Sequence, residues 1–179
     1  MKIDLTIFPF IETDRLLLRS LDNRDAEILL KLRSDEQVNR YLNRPPTTTL
    51  AQAEAFIDKI AAVLSNNQGA YWAICLKTDP ATLIGTICYW GFDMEKEMAE
   101  IGYELMPAQQ GKAFMQEAIA SVINYGFNEM QLKVIGAVTH PDNTDSSKLL
   151  IKNGFILDIR NEFVSEEDAE GQQVYVLRR

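Results

Sequence analysis

The segment from Gln110 to Phe155 constrains the fold more than any other part of the chain. It reads Q-G-K-A-F-M-Q-E-A, then a helix-length apolar stripe, then K-V-I-G-A-V-T-H-P-D-N-T-D-S-S-K-L-L-I-K-N-G-F. A small-residue turn at Gly111 and Ala113 opens a helix whose Met115, Ala118, Ile119, Val122, Ile123 and Phe127 fall on one stripe. Val134–Val138 is a continuous apolar run, the pattern of a strand covered on both faces. Asn143 sets an Asn-x-x-Ser cap for a second helix, which stops at Gly154, a glycine placed to take a left-handed conformation. Turn, helix, buried strand and helix in that order indicate a layered mixed α/β fold.

The remainder of the chain agrees. Thr13–Arg19 reads as a strand, Asp22 caps a helix to about Arg33, and Asp35–Tyr41 forms a short second helix closed by Pro45-Pro46. Thr47–Thr49 cap a helix from Leu50 to Leu64, with Ala53, Phe56, Ile57, Ile60, Ala61 and Leu64 on the helical period. Tyr71–Leu76 and Leu83–Tyr89 are predicted as a hairpin turning at Thr78-Asp79-Pro80. Ala99–Leu105 alternates, with Ile101, Tyr103 and Leu105 on one face and Glu100, Gly102 and Glu104 on the other. Phe155–Arg160 and Gln173–Leu177 read as closing strands, with the acidic Glu162–Glu170 stretch as a loop or hairpin tip. Without repeat or linker, residues 1–179 are expected to form one domain, with a core over about 13–177.

The formal charge of −8 argues against nucleic-acid binding, which requires clustered cations, and mildly favours a cationic acceptor. No apolar run reaches the roughly 20 residues of a membrane helix, and the N-terminal run is broken too soon for a signal peptide. A cytoplasmic location is the expectation. Cys75 and Cys88 fit no zinc or redox spacing and read as buried thiols; with a single histidine, no metal site is expected.

Pro107–Phe114 joins a strand to a helix. Unpaired amides at the positive end of a helix dipole bind phosphate oxygens, small residues allow close approach, and Lys112 adds a cation. The turn is not a P-loop, because the pattern fails at Met106 and Ala113, and no G-x-G-x-x-G is present. Taken alone, it also suits an ordinary strand-to-helix loop.

Four blocks in order carry a resemblance: T-D-R-L-L-L-R-S-L, A-E-I-G-Y-E-L, G-K-A-F-M-Q-E-A and H-P-D-N-T-D-S-S-K-L-L-I-K-N-G-F. Thr13–Leu177 resembles the GNAT N-acetyltransferases, closest to the ribosomal-protein N-terminal acetyltransferase (RimJ/RimL-like) group. The resemblance implies a mixed, mostly antiparallel sheet with one splayed parallel pair, Ala99–Leu105 and Val134–Thr139, flanked by helices. It implies acetyl-CoA as co-substrate, its pyrophosphate on the amides of Gln110, Gly111, Lys112, Ala113, Phe114 and Met115. Backbone near Leu105 and Met106 would meet the pantetheine and the developing oxyanion, Asn143 would bond the pantetheine, and Ser146 would lie near the sulfur. Two positions depart from the family turn: Ala113 replaces its central glycine, and Met115 replaces a small residue. A methyl at 113 weakens the site if its φ must be positive. A homodimer is a family-level expectation.

Acyl transfer to an amine needs a neutral nucleophile, and an α-amino group, with a pKa of about 7.7–8.0, gives up its proton more readily than lysine at about 10.4. A cleft-side carboxylate is the expected base. Glu100 is preferred, with Glu104 in reserve. Ser146 is the candidate partner of the departing thiolate, since Leu150 stands where many relatives carry tyrosine. Tyr103, Tyr125 and His140 read as structural. The expected reaction is direct acetyl transfer in a ternary complex to a protein N-terminal amine. The alternatives are a small-molecule acceptor (polyamine, aminoglycoside or amino acid) and a non-catalytic acetyl-CoA sensor.

Overall fold

A computed structural model describes residues 3–5, 7–160, 162–164, 169 and 171–179. Among the described residues, five α-helices and eight strands follow one another as β1 (Ile11–Glu12), β2 (Leu16–Ser20), α1 (Ala26–Ser34), α2 (Glu36–Asn39), α3 (Leu50–Ser65), β3 (Ala70–Leu76), β4 (Asp79–Asp93), β5 (Met98–Leu105), α4 (Phe114–Asn128), β6 (Val134–Thr139), α5 (Thr144–Lys152), β7 (Ile156–Leu157) and β8 (Gln173–Arg178). The strands form one sheet in the order β1-β2-β3-β4-β5-β6-β8-β7. Every pairing is antiparallel except β5–β6.

Strand alternation assigns each face its helices. Trp72 and Ile74 of β3, with Ile101 and Leu105 of β5, pack with Met115, Ala118, Ile119 and Val122 of α4 and Leu150 of α5. Ala73 and Cys75, one residue out of phase, share the other face with Leu32 of α1 and Leu83, while α1 also packs on Ala53 and Ile57 of α3. Glu100 and Glu104 alternate with Ile101 and Leu105 and therefore lie on the α1–α3 face.

Two local boundaries differ markedly from expectation. The first hairpin turns at Lys77-Thr78, and Asp79-Pro80 begins β4, with Leu76 opposite Asp79 and a register shift at Cys75. Proline is tolerated at a strand start because no ladder amide is lost there. The strand expected over Phe155–Arg160 shrinks to Ile156–Leu157. Within the acidic Glu162–Glu170 stretch, residues 165–168 and 170 lie outside the described residues. No helix among the described residues is long and apolar enough to cross a membrane.

The β5–β6 pair is the feature that builds the site. Met98, Ala99 and Glu100 pair with Val134, Ile135 and Gly136, and the register stops there. Beyond that rung β5 continues against β4 as far as Leu105, and β6 continues against β8 as far as Thr139. The sheet thus forks, and Glu100 stands at the last joined rung.

Candidate active site

The turn before α4 has the backbone of an anion cradle. Gly111 has φ +73° and Ala113, the N-cap of α4, has φ +61°. The amides of residues 111–116 donate to no backbone or side-chain acceptor among the described residues. A Cβ at Gly111 would meet nothing within 4 Å, so the approach to these amides is open. These features fit a phosphate-bearing group. The positive φ at 113 resolves the departure noted in the sequence: alanine holds a conformation that glycine adopts without a Cβ penalty.

Other residues hold this turn in place. Gln110 donates from Nε2 to the Leu105 carbonyl (3.1 Å), and Gln37 of α2 donates to Gln110 (3.2 Å). Lys112 bonds Gln109 through Nζ (3.0 Å). The Met106 amide donates to the Ile84 carbonyl at 2.9 Å. That bond revises the expectation for Met106, whose N–H is engaged in the sheet and not presented to a ligand. A clamp the sequence reading missed joins two of its blocks. Glu117, in the first turn of α4, accepts from the Thr13 hydroxyl (2.6 Å) and from the amide and Nε of Arg15 (2.9 and 2.7 Å). Burial opposes ionisation of Glu117, but the Thr13 and Arg15 donors outweigh it and hold the carboxyl below its usual range. Arg15 also bonds the Lys112 carbonyl (3.0 Å) and lies over the Phe114 ring. Pairing of T-D-R with Q-E-A was the available signal.

The two candidate carboxylates have different surroundings. Glu104 is held by Arg44 through both oxygens (2.6 and 2.7 Å), with Arg33 3.5 Å away. It is therefore an ion-pair anchor and unsuited to the reserve role of base. Glu100 makes no hydrogen bond or ion pair with any described residue. Its register neighbours are Trp90 and Gly136, and the Phe163 ring occupies the place a Cβ at 136 would need. Burial in this setting pushes its carboxyl up to about 7.

Across the fork, the Ser146 and Tyr103 hydroxyls lie 2.9 Å apart. Tyr103 was expected to be simply a core aromatic, yet its hydroxyl is brought to the one side chain of α5 singled out for thiolate chemistry. Burial pushes this phenol up to about 12, against a smaller opposing effect of the serine bond. Asn143 caps α5 by accepting from the Ser146 amide (3.2 Å). Leu150 is fully buried in the core. His140 stacks on Tyr41 (5.5 Å between centroids), and its Nδ1 accepts from the Asp142 amide. The segment from Tyr41 to Arg44 therefore straddles the fork, tied to β5 through Glu104 and to the end of β6 through His140. Cys75 and Cys88 are free thiols, pushed up by burial to about 11 and about 12.

The comparisons agree with this architecture. Residues 15–156 match the acetyltransferase (GNAT) domain. The uncharacterized N-acetyltransferase YoaA of Bacillus subtilis is 38% identical over 149 residues, covering 83% of this chain and 84% of its own. The N-acetyltransferase p20 of Bacillus licheniformis is 38% identical over 138 residues, 77% of each chain. Among solved structures, RimL, the ribosomal L7/L12 alpha-N-protein acetyltransferase, in complex with coenzyme A, superposes with a TM-score of 0.80 at 16% identity, covering 95% of this chain and 98% of its own. With its forked sheet, its open turn before α4 and a match over most of its length, the chain belongs to the GNAT family of N-acetyltransferases.

Proposed function

We propose that this enzyme acetylates a protein N-terminal amine by direct attack on acetyl-CoA in a ternary complex. Bound acetyl-CoA supplies an activated acyl thioester. The amides of 111–116 are suited to orienting its phosphates, and Asn143 keeps its side-chain amide group for the pantetheine. Glu100 accepts the ammonium proton of the acceptor. A carboxylate near pKa 7 is well matched to an α-amino group near 8, since base and acid then differ by about one unit. Ser146 donates a hydrogen bond toward the departing sulfur, with Tyr103 orienting its hydroxyl.

The observation that carries this reading is Glu100: a desolvated, unpartnered carboxyl at the last joined rung of the fork, on the face opposite α4. A non-catalytic acetyl-CoA sensor has no need of such a group. The likeness to RimL supports the choice of acceptor, as does a base strong enough for an α-amine and weak for lysine. The test is thiol release from acetyl-CoA against peptides with varied N-termini, polyamines and aminoglycosides. Turnover confined to small amines would overturn the N-terminal reading, and binding without turnover would favour the sensor.

A further inference from the structure

Two guanidinium groups converge on a single carboxylate beside the fork. Arg33 and Arg44 both face Glu104, and the side chains are only 12%, 21% and 11% exposed. Arg44 is fully engaged, through both oxygens of Glu104 and through Nε to Asn39 (3.1 Å). Arg33 is held less completely. Its Nε donates to the Thr47 hydroxyl at 3.3 Å, its Nη1 stands 3.5 Å from Glu104, the Tyr71 hydroxyl interacts with it, and its Cζ lies 3.8 Å from the centroid of the Phe56 ring. The ring and the threonine fix the direction of a planar donor fork that has five N–H groups to place. The three charges sum to plus one in a poorly hydrated place, within a chain of net charge −8. Burial, and then repulsion from Arg44, loosen the hold of Arg33 on its proton, against the opposing pull of Glu104.

The location relates this excess to the acceptor. Glu104 and Glu100 lie on the same face of β5, four residues apart, so their Cα atoms are about 13 Å apart along the strand. Cys88 and Gly102 form the rung between them; a Cβ at Gly102 would stand 3.2 Å from Cys88 Sγ, so the thiol and a side-chain-free glycine make a low floor there. With that strand spacing as the scale, an acceptor amine hydrogen-bonded to Glu100 and an anion on Arg33 beside Glu104 are separated by on the order of 10 Å, the length of about three extended residues.

We propose that Arg33, with Arg44 behind it, is a carboxylate-recognition site that selects acceptors carrying an anionic group two to three residues from the reacting amine. The proposal rests on the acetyltransferase reading of the same cleft. Either an acidic side chain or the C-terminal carboxylate of a short peptide supplies the chemistry, whereas a polyamine or aminoglycoside meets repulsion. Net charge alone suggested a cationic acceptor; the local charge at the cleft points the other way.

The test compares kcat/KM for peptides differing only by Glu or Gln at the third position, and for tripeptides with free or amidated C-termini. Free glutamate and spermidine serve as single-residue and cationic acceptors. The acidic or free-carboxylate member is expected to be preferred about tenfold, mainly through KM, and the preference shrinks as salt rises. A preference only for the Glu peptide assigns the side chain, and one only for the free tripeptide assigns the terminus. In Arg33→Gln the ratio should fall toward one, while Arg44 still pairs Glu104 and keeps the fold. Equal rates for matched peptides in the wild type, a ratio untouched by Arg33→Gln, or a change only in the KM for acetyl-CoA would each overturn the site. If Arg33→Gln does not fold, the wild-type ratios and their salt dependence decide. If no amine is acetylated, the proposed function falls and this site with it; turnover without discrimination sinks the site alone.

Discussion

Glu100→Gln separates the chemistry of this site from its stability. Burial lifts the wild-type carboxyl from the ordinary 4.5 to about 7. At about 1.36 kcal/mol per pKa unit, a rise of about 2.5 corresponds to roughly 3 kcal/mol by which ionisation is disfavoured in the folded protein. Below pH 4.5 the group is protonated in both states and this penalty is absent. Between 4.5 and about 7 the unfolded chain has released the proton and the folded chain retains it, so wild-type stability falls as pH rises; above about 7 the loss is complete. Glutamine, close in shape and never charged, escapes the penalty. Denaturant titrations should therefore find the variant and wild type similar at pH 4, diverging to an advantage of about 2–3 kcal/mol for the variant at pH 8. Over the same range wild-type kcat/KM should rise through an apparent pKa near 7, and the variant should lose that limb and about 100-fold in rate at neutral pH. The deficit should narrow near pH 9, where an α-amine is already neutral. A stability difference independent of pH refutes the desolvation argument, and full turnover in the variant refutes the assignment of the base.

Glu104→Ala leaves Arg33 and Arg44 as two mostly buried cations without a carboxylate and should lower unfolding free energy by about 3 kcal/mol; urea melts measure it, and a change under 1 kcal/mol would place these guanidiniums in water. Ala113→Gly removes a Cβ from a residue at φ +61° and should raise stability by up to about 1 kcal/mol and tighten CoA binding; calorimetry checks both, and a destabilised variant would contradict the left-handed conformation. Ser146→Ala and Tyr103→Phe should each lower kcat about tenfold with little change in acceptor KM, and the double variant should lose no more than the larger single effect if the two hydroxyls act as a unit. Additive losses would show that they act separately.

Much of the site is already legible in one dimension because its parts are local. A helix start, an Asn cap and the alternation of Ala99–Leu105 depend on neighbours a few residues away, so the turn before α4, Asn143 as the cap of α5 and the shared face of Glu100 and Glu104 follow from spacing. The left-handed Ala113 lies at the limit of this reading: sequence identifies the departure from glycine, and only the backbone shows that φ is positive.

What the sequence alone could not decide is which groups meet across the sheet. Glu100 and Glu104 are equivalent on the strand, and they part company because α1 and the segment after α2 bring Arg33 and Arg44 from 60 to 71 residues away onto one of them. Tyr103 looks like a core residue until α5 folds back and sets Ser146 against its hydroxyl, and Thr13, Arg15 and Glu117 join over about a hundred residues. The local periodicities of the chain therefore determined its elements and candidate groups. Tertiary structure decided the charge, partner and accessibility of each group, because desolvation and ion pairing depend on what packs nearby in space.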